Sequence, residues 1–474
     1  MRQRLHAFSA FIAALLPHEV AFLLREQRFK DADKLAILKQ AQILCSEIRP
    51  PAEASFDLHI DKRKYSTLKK WMESKLREAD ADIQFEWMND LERKVVTDSV
   101  SPDEEQALLR ALKRVRPTDY FFVKAYELAQ RFGHFLLIRM RFQEYKAVER
   151  FLVARRTDWV RSADTFARLQ DATVDIVNQY AFGSSDSQRW IDWLETVFVD
   201  ETLDGQTRYY AFVRLIFAHL NSGSWDALLE KFAMQDRLFE RGAYYSKRLL
   251  LNYYGQRLLL HSKLKDYAKA EYYGYLSLRG HNSDYIFYLN NLVAVMLRNH
   301  RSAEALVLMK SAMAESRHTR SFYNRVGFVS YYMRCLTLEG LSDSAARYGA
   351  AFLKAWSKEI LSARWHLFFT AYLGALFHAG KYAQMIGLAR RYSLRALDAQ
   401  YAARKESAYL PVIPWYIFFA ECLATDKGRA RLEAHVRKEL GAARNDADRL
   451  SRLQEFLHEA EQKAPQLKGL STLV

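Results

Sequence analysis

The chain has 474 residues and a mass of 55.4 kDa, with only 17 glycines and 8 prolines. Half of its residues are hydrophobic and turn-forming residues are scarce, which excludes a disordered chain and a loop-rich β-sandwich and leaves a large, mostly helical protein. Lysine and arginine number 71 against 56 aspartates and glutamates, a net charge of +15 that attracts phosphate backbones or acidic partners.

The N-terminus carries a short apolar segment. Arg2 and Arg4 precede a mostly apolar run, residues 7–16, which has the outline of a signal peptide. No small-x-small cleavage pattern follows, and apolar positions continue past Pro17, so an amphipathic first helix is favoured. The longest apolar run elsewhere, residues 413–420, is far shorter than the ~20 residues that cross a bilayer. We therefore expect a cytoplasmic protein with no membrane insertion.

Two local signals lie in the first quarter of the chain. Residues 50–55 begin with two prolines and indicate a break between helical segments. Ser101 is followed by Pro102 and Glu104, a combination that predicts a capped helix beginning at Pro102. Residues 57–61 hold Asp, His and Asp at alternate positions, but such short runs arise by chance, and no metal site is expected there.

Proline is distributed unevenly along the chain. None occurs between Thr118 and Leu410, and an interior proline costs a helix ~3 kcal/mol, so this stretch is predicted to be helix after helix. The chain then divides into a helical N-terminal region (1–117), a middle region (118–410) and a helical C-terminal cap (411–474). The eight prolines are Pro17, Pro50, Pro51, Pro102, Pro117, Pro411, Pro414 and Pro465.

One five-residue signature recurs through the middle region, with copies that end about 40 residues apart, and this period predicts about seven stacked helical hairpins. Gly223, Gly340 and Gly380 lie just before three copies, where glycine is expected to take the left-handed conformation that ends the preceding helix. The copies are residues 144–148, 224–228, 266–270, 301–305, 341–345 and 381–385, and a weaker copy ends at Trp190.

The runs Gly380-x-Tyr382, Gly223-x-Trp225 and Tyr267-x-x-Ala270 resemble the motif that opens the second helix of a tetratricopeptide repeat. The resemblance covers roughly residues 125–393. It departs from the family in its period, about 40 rather than 34, and in lacking the proline at the end of each repeat. The resemblance implies an all-α fold, a right-handed superhelical α-α solenoid of tetratricopeptide-like hairpins.

In that family the first helix of each repeat forms the inner face of the superhelix. The resemblance then implies that Asn252, Asn290 and Arg334 point toward a groove, with Asn291 and Arg325 near its edge. Asparagine can bond the backbone of an extended peptide, and arginine can hold a carboxylate with two parallel hydrogen bonds. We therefore expect a non-enzymatic scaffold that binds a protein or peptide partner.

Motifs that carry catalytic chemistry are missing from the sequence. It contains no phosphate-binding loop and no Gly-x-Ser-x-Gly nucleophile motif. Cys45, Cys335 and Cys422 lie far apart without zinc-site spacing, which is typical of a reducing compartment. His366 and His378 are expected to be core or groove histidines. No catalytic residue, cofactor or metal is expected, although an enzyme within residues 1–117 remains open.

Nucleic-acid binding is the alternative function. A basic superhelix could hold RNA or DNA through phosphate contacts, and paired tyrosines such as Tyr253-Tyr254 lie among lysines and arginines where they could stack on bases. Their helical spacing favours instead a role as packing between helices. The basic clusters are scattered along the chain and form no single tail, which argues against a dedicated basic arm.

Overall fold

The computed structural model shows an all-helical protein: its described residues form 24 α-helices and no β-strand, as the composition predicts. The described residues are 5–48, 56–57, 59–182, 186–404, 410–424, 429–443, 446–463 and 467–471. The predicted break at residues 50–55 and Pro465 lie outside the described residues.

The chain folds as two compact units, Met1–Asn282 and Ser283–Val474. The boundary between them falls inside the middle region, 118–410, for which the sequence predicts one repeat array. The predicted boundaries at residues 117 and 411 both lie in segments between helices.

Unit 1 holds thirteen of the described α-helices and a short 3-10 helix at Gln188–Trp190. No single described helix is long and apolar enough to span a membrane. The first two helices together have the length and apolar composition of a membrane span, but they are bent by 107° relative to each other. The helices are α1 (His6–Ala13), α2 (Pro17–Glu26), α3 (Ala32–Cys45), α4 (Lys62–Ala79), α5 (Ala81–Val96), α6 (Pro102–Leu112), α7 (Phe122–Ile138), α8 (Phe142–Phe182), α9 (Ile191–Val199), α10 (Gly205–Ser222), α11 (Asp226–Glu240), α12 (Lys247–Lys263) and α13 (Tyr267–Ser277).

Unit 2 holds the other eleven described α-helices, and their contacts follow a regular order. Each of α14, α17 and α19 contacts the next long helix along the chain, α15, α18 and α20, and also contacts the helix that begins the following pair. The helices are α14 (Tyr285–Arg298), α15 (Ser302–Ser311), α16 (Met313–His318), α17 (Phe322–Leu338), α18 (Ser342–Ala363), α19 (Trp365–His378), α20 (Tyr382–Arg391), α21 (Leu394–Arg404), α22 (Val412–Ala424), α23 (Arg429–Ala443) and α24 (Ala447–Lys463).

Helix α8 spans 41 residues, about 60 Å, and runs along two parts of unit 1. Its first half packs on α7, where the Tyr126 hydroxyl donates to the carbonyl of Leu152 (3.2 Å). Its second half packs on α10, where Arg214 donates to the carbonyl of Leu169 (3.0 Å). Buried apolar side chains from α5 to α8, among them Phe132, form the core around the first half.

The first helices are fastened to the last part of unit 1 by hydrogen bonds across more than 200 residues. The Arg279 guanidinium donates to the carbonyls of Leu15 (2.9 Å), Cys45 (2.5 Å) and Glu47 (2.5 Å). These bonds satisfy carbonyls at the ends of α1 and α3, which have no partner within their own helices. We refer to this arrangement as the Arg279 clasp.

A second polar contact ties α2 to α11 and α12. The His18 ring lies between Asp236 (2.9 Å) and the Tyr254 hydroxyl (2.6 Å), and Arg257 donates to the other carboxylate oxygen of Asp236 (2.6 Å). The hydrogen bond from His18 and the charge of Arg257 outweigh burial and lower the pKa of Asp236. Asp236 therefore stays ionised and holds two elements of the core together.

The predicted start of α6 is confirmed. Pro102 is its first residue, and the Ser101 hydroxyl accepts from the Glu104 amide (3.4 Å). The Glu104 carboxylate in turn accepts from the Ser101 amide (3.0 Å), which completes the capping box.

Eight helices in the described part of the chain end in the same corner. A residue with positive φ is followed by a residue whose amide donates to the carbonyl five positions back, the Schellman geometry. The three predicted glycines are confirmed in this conformation, with φ of 77°, 77° and 69°. Five of the corners lie five residues before the end of a signature copy, and Met140 lies eight before the end of the first. The corner residues are Asp98, Met140, Gly223, Gly242, Lys265, His300, Gly340 and Gly380.

The close packing of α18 on its neighbours predicts opposite effects for two Gly→Ala substitutions. A Cβ at Gly349 would lie 2.6 Å from both the Met333 sulfur and the ring of buried Tyr372, whereas a Cβ at exposed Gly387 meets nothing within 4 Å. Gly349→Ala is expected to lower the free energy of unfolding by about 1 kcal/mol or more, because overpacking outweighs the gain in helix propensity. The matched Gly387→Ala should raise it by about 0.5–1 kcal/mol. Urea unfolding followed by circular dichroism measures both, and a gain in both variants would contradict the packing argument.

Candidate functional site

A cavity lies in unit 2 between α17, α19, α22 and α24. Its free volume is about 50 Å³, which is room for a small group such as a carboxylate and a few water molecules and is smaller than a pocket for a whole drug-sized ligand. One wall is apolar, formed by Leu338, Leu367, Ala371 and Ala375. Charged and polar side chains complete the lining: Ser330, Tyr331, Arg334, Thr337, Thr370, His378, Tyr416, Arg452 and Glu459.

Helical spacing brings these side chains to one place. Tyr331, Arg334 and Leu338 share one face of α17 because they lie three and four residues apart, and Ala371 and His378 share a face of α19 two turns apart. Gly374 permits α22 to approach α19, since a Cβ there would lie 3.0 Å from the Tyr416 hydroxyl oxygen.

Helix α24 contributes one cation and one anion to the cavity. Arg452 donates to Glu455 (2.6 Å) and lies 3.9 Å from Glu459. Burial acts to lower the pKa of Arg452, but these two carboxylates outweigh it and the pKa is raised. The other Glu459 oxygen lies 4.0 Å from His378 Nε2. The Glu459 carboxylate is thus already shared between two cavity groups.

Arg334 differs from Arg452 in that it forms no ion pair with a described carboxylate. Its side chain is half-buried, and its guanidinium makes no hydrogen bond or ion pair with another described residue. Burial lowers its pKa and the nearby charge of Arg452 lowers it further, and together they outweigh the opposite effect of the Glu459 carboxylate. The lining holds two guanidinium groups and one carboxylate, Glu459, while the second carboxylate near them, Glu455, pairs with Arg452. Because a guanidinium presents a planar set of N–H donors, Arg334 is suited to hold a carboxylate or phosphate bidentately.

Hydroxyl groups lie beside the two arginines. The Thr370 oxygen is buried and makes no hydrogen bond with another described residue. Burial raises the pKa of Tyr416, so its hydroxyl stays protonated. Both groups can therefore donate to an anionic ligand.

Of the five residues predicted to form a groove, the structure places Arg334 in this cavity. Asn252 lies in unit 1, where its side-chain oxygen accepts from the Tyr209 hydroxyl (2.9 Å) and from Gln256 (2.8 Å). Asn290 is 2% exposed and donates to the carbonyl of Asn324 (2.9 Å).

The two residues predicted near the groove edge also lie outside the cavity. Asn291 is half-buried on α14. Arg325, at the start of α17, donates to the carbonyls of Arg317 (2.9 Å) and Thr319 (3.0 Å). Its donors therefore bind the chain that leads into α17.

Arg452, Glu459 and Tyr416 were not predicted as site residues. They lie in the C-terminal region, beyond the range in which the recurring signature gives a register. One signal was present in the sequence: Arg452 and Glu459 are seven residues apart beside the apolar stripe of Leu453 and Leu457. Charged residues at that spacing next to a buried stripe lie at the edge of a packed surface.

Some of the residues that favoured nucleic-acid binding are engaged within the fold. Tyr253 and Tyr254 are fully buried and offer no face to a base. Lys64 pairs with Asp31 (3.1 Å) and with a second carboxylate, and Arg248 pairs with Asp82 (2.7 Å).

Among the described residues no group of three histidine, cysteine or acidic side chains could hold a metal ion.

Comparison of the chain with protein-family models, with curated proteins and with solved structures finds no match. The chemistry of the cavity is therefore the basis for a function. Its groups can bind and orient an anion through a guanidinium and two hydroxyls.

The charges in the cavity predict different effects of two substitutions on stability. Arg334→Met removes a desolvated charge without a carboxylate partner, so it is expected to keep the free energy of unfolding or raise it by up to about 1 kcal/mol. Glu459→Gln leaves two guanidinium groups in one cavity without this anion, and should lower the free energy of unfolding by about 1–3 kcal/mol. Urea unfolding at pH 7 measures both. A larger loss in Arg334→Met than in Glu459→Gln would show that Arg334 has a stabilising partner.

Proposed function

We propose that the protein is a non-enzymatic scaffold that binds a protein or peptide partner, and that the cavity of unit 2 holds a carboxylate of that partner. The observation that carries the proposal is the Arg334 guanidinium, which faces the cavity and has no carboxylate of its own. A bidentate contact with a carboxylate would supply the acceptor that the chain itself does not provide.

The order of helix contacts in unit 2 supports a tetratricopeptide-like arrangement of hairpins. Helices α14, α17, α19 and α22 contact one another in succession, and α15, α18 and α20 lie between them in sequence. Schellman corners at residues 300, 340 and 380 join the two helices of each pair. In the family that the sequence resembles, the first helices form the ligand-binding face, and the cavity is lined by three such helices.

A carboxylate fits the cavity better than a phosphate. Glu459 belongs to the lining, so a dianionic group would be repelled by a carboxylate that is already in place. A single negative charge balances the one guanidinium that lacks a partner. The apolar wall of Leu338 and Leu367 offers a surface for the hydrocarbon part of a residue that carries the carboxylate.

Peptide pools with and without carboxylates test the proposal. Immobilised protein is offered three pools of random peptides: one with a free C-terminus, one amidated that contains Asp and Glu, and one amidated that contains neither. The first or second pool should be retained and the third should not. Arg334→Met should reduce retention at least about tenfold, because a hydrogen bond to a charged group contributes about 1.5–3 kcal/mol.

Arg347→Met is the matched control, because Arg347 is an exposed arginine on α18 outside the cavity lining. This variant should retain peptides as the unmodified protein does. Equal retention of all three pools, or equal loss in both variants, would overturn the carboxylate site. Retention of RNA or DNA at 50 mM salt that is unchanged by Arg334→Met would favour the alternative, nucleic-acid binding by the basic surface.

A further inference from the structure

Unit 1 contains a second and larger cavity, bounded by the end of α4, the segment between α6 and α7, the first turns of α10 and the segment between α11 and α12. Its free volume is about 630 Å³, which lies within the range of pockets that hold small molecules. Its lining includes three cations and three anions: Arg116, Arg208, Arg241, Glu78, Asp119 and Glu201.

Arg208 is the buried cation of this lining. The residue is 8% exposed, and its Nε donates to the carbonyl of Phe198 in the last turn of α9 (3.0 Å). A guanidinium has five N–H donors, and the others of Arg208 make no hydrogen bond or ion pair with another described residue. Asp200 lies within range of this charge, but its carboxylate accepts from the Thr202 amide (2.9 Å). A buried charge without a partner is costly, so a bound anion would supply the partner that Arg208 lacks.

Two of the three acids in the lining are engaged within the fold. Asp119 accepts from the amide of Arg116 (2.8 Å) and lies 3.4 Å from the Nε of the same residue. Glu78 accepts from Lys75 (2.7 Å) and from the Ser74 hydroxyl (2.9 Å). Neither carboxylate is therefore the partner of Arg208.

The remaining charges of the lining have no partner among the described residues. Arg241 is exposed directly after α11, and its guanidinium makes no hydrogen bond or ion pair within the described chain. Glu201 is exposed between α9 and α10, and its carboxylate is likewise unengaged by any described group. The cavity thus offers two guanidinium groups, that of Arg241 and that of Arg208, and one carboxylate.

One wall of the cavity is held in place by a strained residue. Tyr244 has a φ of 42°, a left-handed conformation that is costly for a residue with a side chain. Its ring packs against Gly205, where a Cβ would lie 2.4 Å from the ring, and its centroid lies 5.9 Å from that of Tyr120. Gly205 begins α10 and lies one turn before Arg208. The strain therefore fixes an aromatic wall beside the helix that carries the buried guanidinium.

The unengaged groups indicate the chemistry of a ligand. Two guanidinium groups match a phosphate monoester, which carries a charge of about −1.5 to −2 at pH 7 and accepts bidentate hydrogen bonds from arginine. The cavity is much larger than a phosphate group, so the ligand has a second part. A carboxylate such as Glu201 accepts from hydroxyl groups, and the hydroxyl of Thr118, also in the lining, can donate or accept.

We propose that this cavity binds a phosphate monoester carried on a sugar. Arg208 and Arg241 hold the phosphate, and Glu201 and Thr118 bind the sugar hydroxyls. A free sugar phosphate and a nucleotide share this chemistry. The proposal is independent of the carboxylate site in unit 2.

Isothermal titration calorimetry of the full chain tests the ligand class with four probes: ribose 5-phosphate, adenosine monophosphate, ribose and inorganic phosphate. At least one of the first two should bind at least about tenfold more tightly than ribose or inorganic phosphate, because only they engage both parts of the cavity. Equal affinity for the first two would indicate a free sugar phosphate, and tighter binding of adenosine monophosphate a nucleotide. No binding of either, or equally tight binding of inorganic phosphate, would overturn the proposal.

Substitutions on one helix end test the location. Arg241→Met should weaken binding of the better probe at least about tenfold, through loss of hydrogen bonds to a charged group. Its side chain has no partner in the described fold, so the melting temperature should not change. Arg208→Met should weaken binding by at least as much. The matched control is Arg237→Met, because Arg237 is an exposed arginine of α11 outside the lining, and it should bind as the unmodified protein does. Unchanged affinity in Arg241→Met, or an equal loss in Arg237→Met, would exclude this cavity as the site.

Discussion

The left-handed corner is the constraint on which the hairpins of this protein depend. A residue with positive φ stops the helix, and the next amide bonds a carbonyl at the helix end that would otherwise lack a partner. The following helix can then begin within two or three residues and fold back on the one before it. The corner is inexpensive at Gly340, but at Lys265 and His300 a side chain is held in a conformation that costs about 1–2 kcal/mol. Packing between the paired helices offsets that strain.

Local features of the structure could be predicted from the sequence, and long-range ones could not. The capped start of α6 and the glycine corners depend on residues within one turn of each other, so both features could be predicted from local sequence. The corner at His300 has no glycine, because there tertiary packing decides the backbone conformation. Arg334 and Arg452 line the same cavity although they are more than a hundred residues apart in the sequence. No periodic pattern in the sequence indicates that α17 and α24 lie close together. The contact between His18 and Asp236 could not be predicted for the same reason.

The cavity in unit 2 shows how the proposed binding group, Arg334, differs from a side chain that serves packing. A side chain that serves only the fold finds its partners within the fold, as Asn290 does with the carbonyl of Asn324. Arg334 lies in a desolvated position beside a second cation, and it forms no ion pair with another described residue, although the Glu459 carboxylate acts on it at longer range. A desolvated charge lowers the stability of the folded protein relative to an apolar side chain at the same position. Such a loss of stability is common at ligand-binding sites. The hydroxyls of Thr370 and Tyr416 extend the same polar surface.

The Arg279 clasp has a consequence for how the protein is made. Its donor is separated from its three acceptors by between 232 and 264 residues, so α1 and α3 leave the ribosome long before the arginine that fastens them exists. At ordinary elongation rates this delay is roughly 10–50 s. During it the part of α2 that packs on later helices, including Phe22 against Tyr245, has no permanent cover. We therefore expect the docking of the N-terminal helices onto the later helices of unit 1 to be a late step of its folding, and α2 to be the segment that a nascent-chain chaperone would shield.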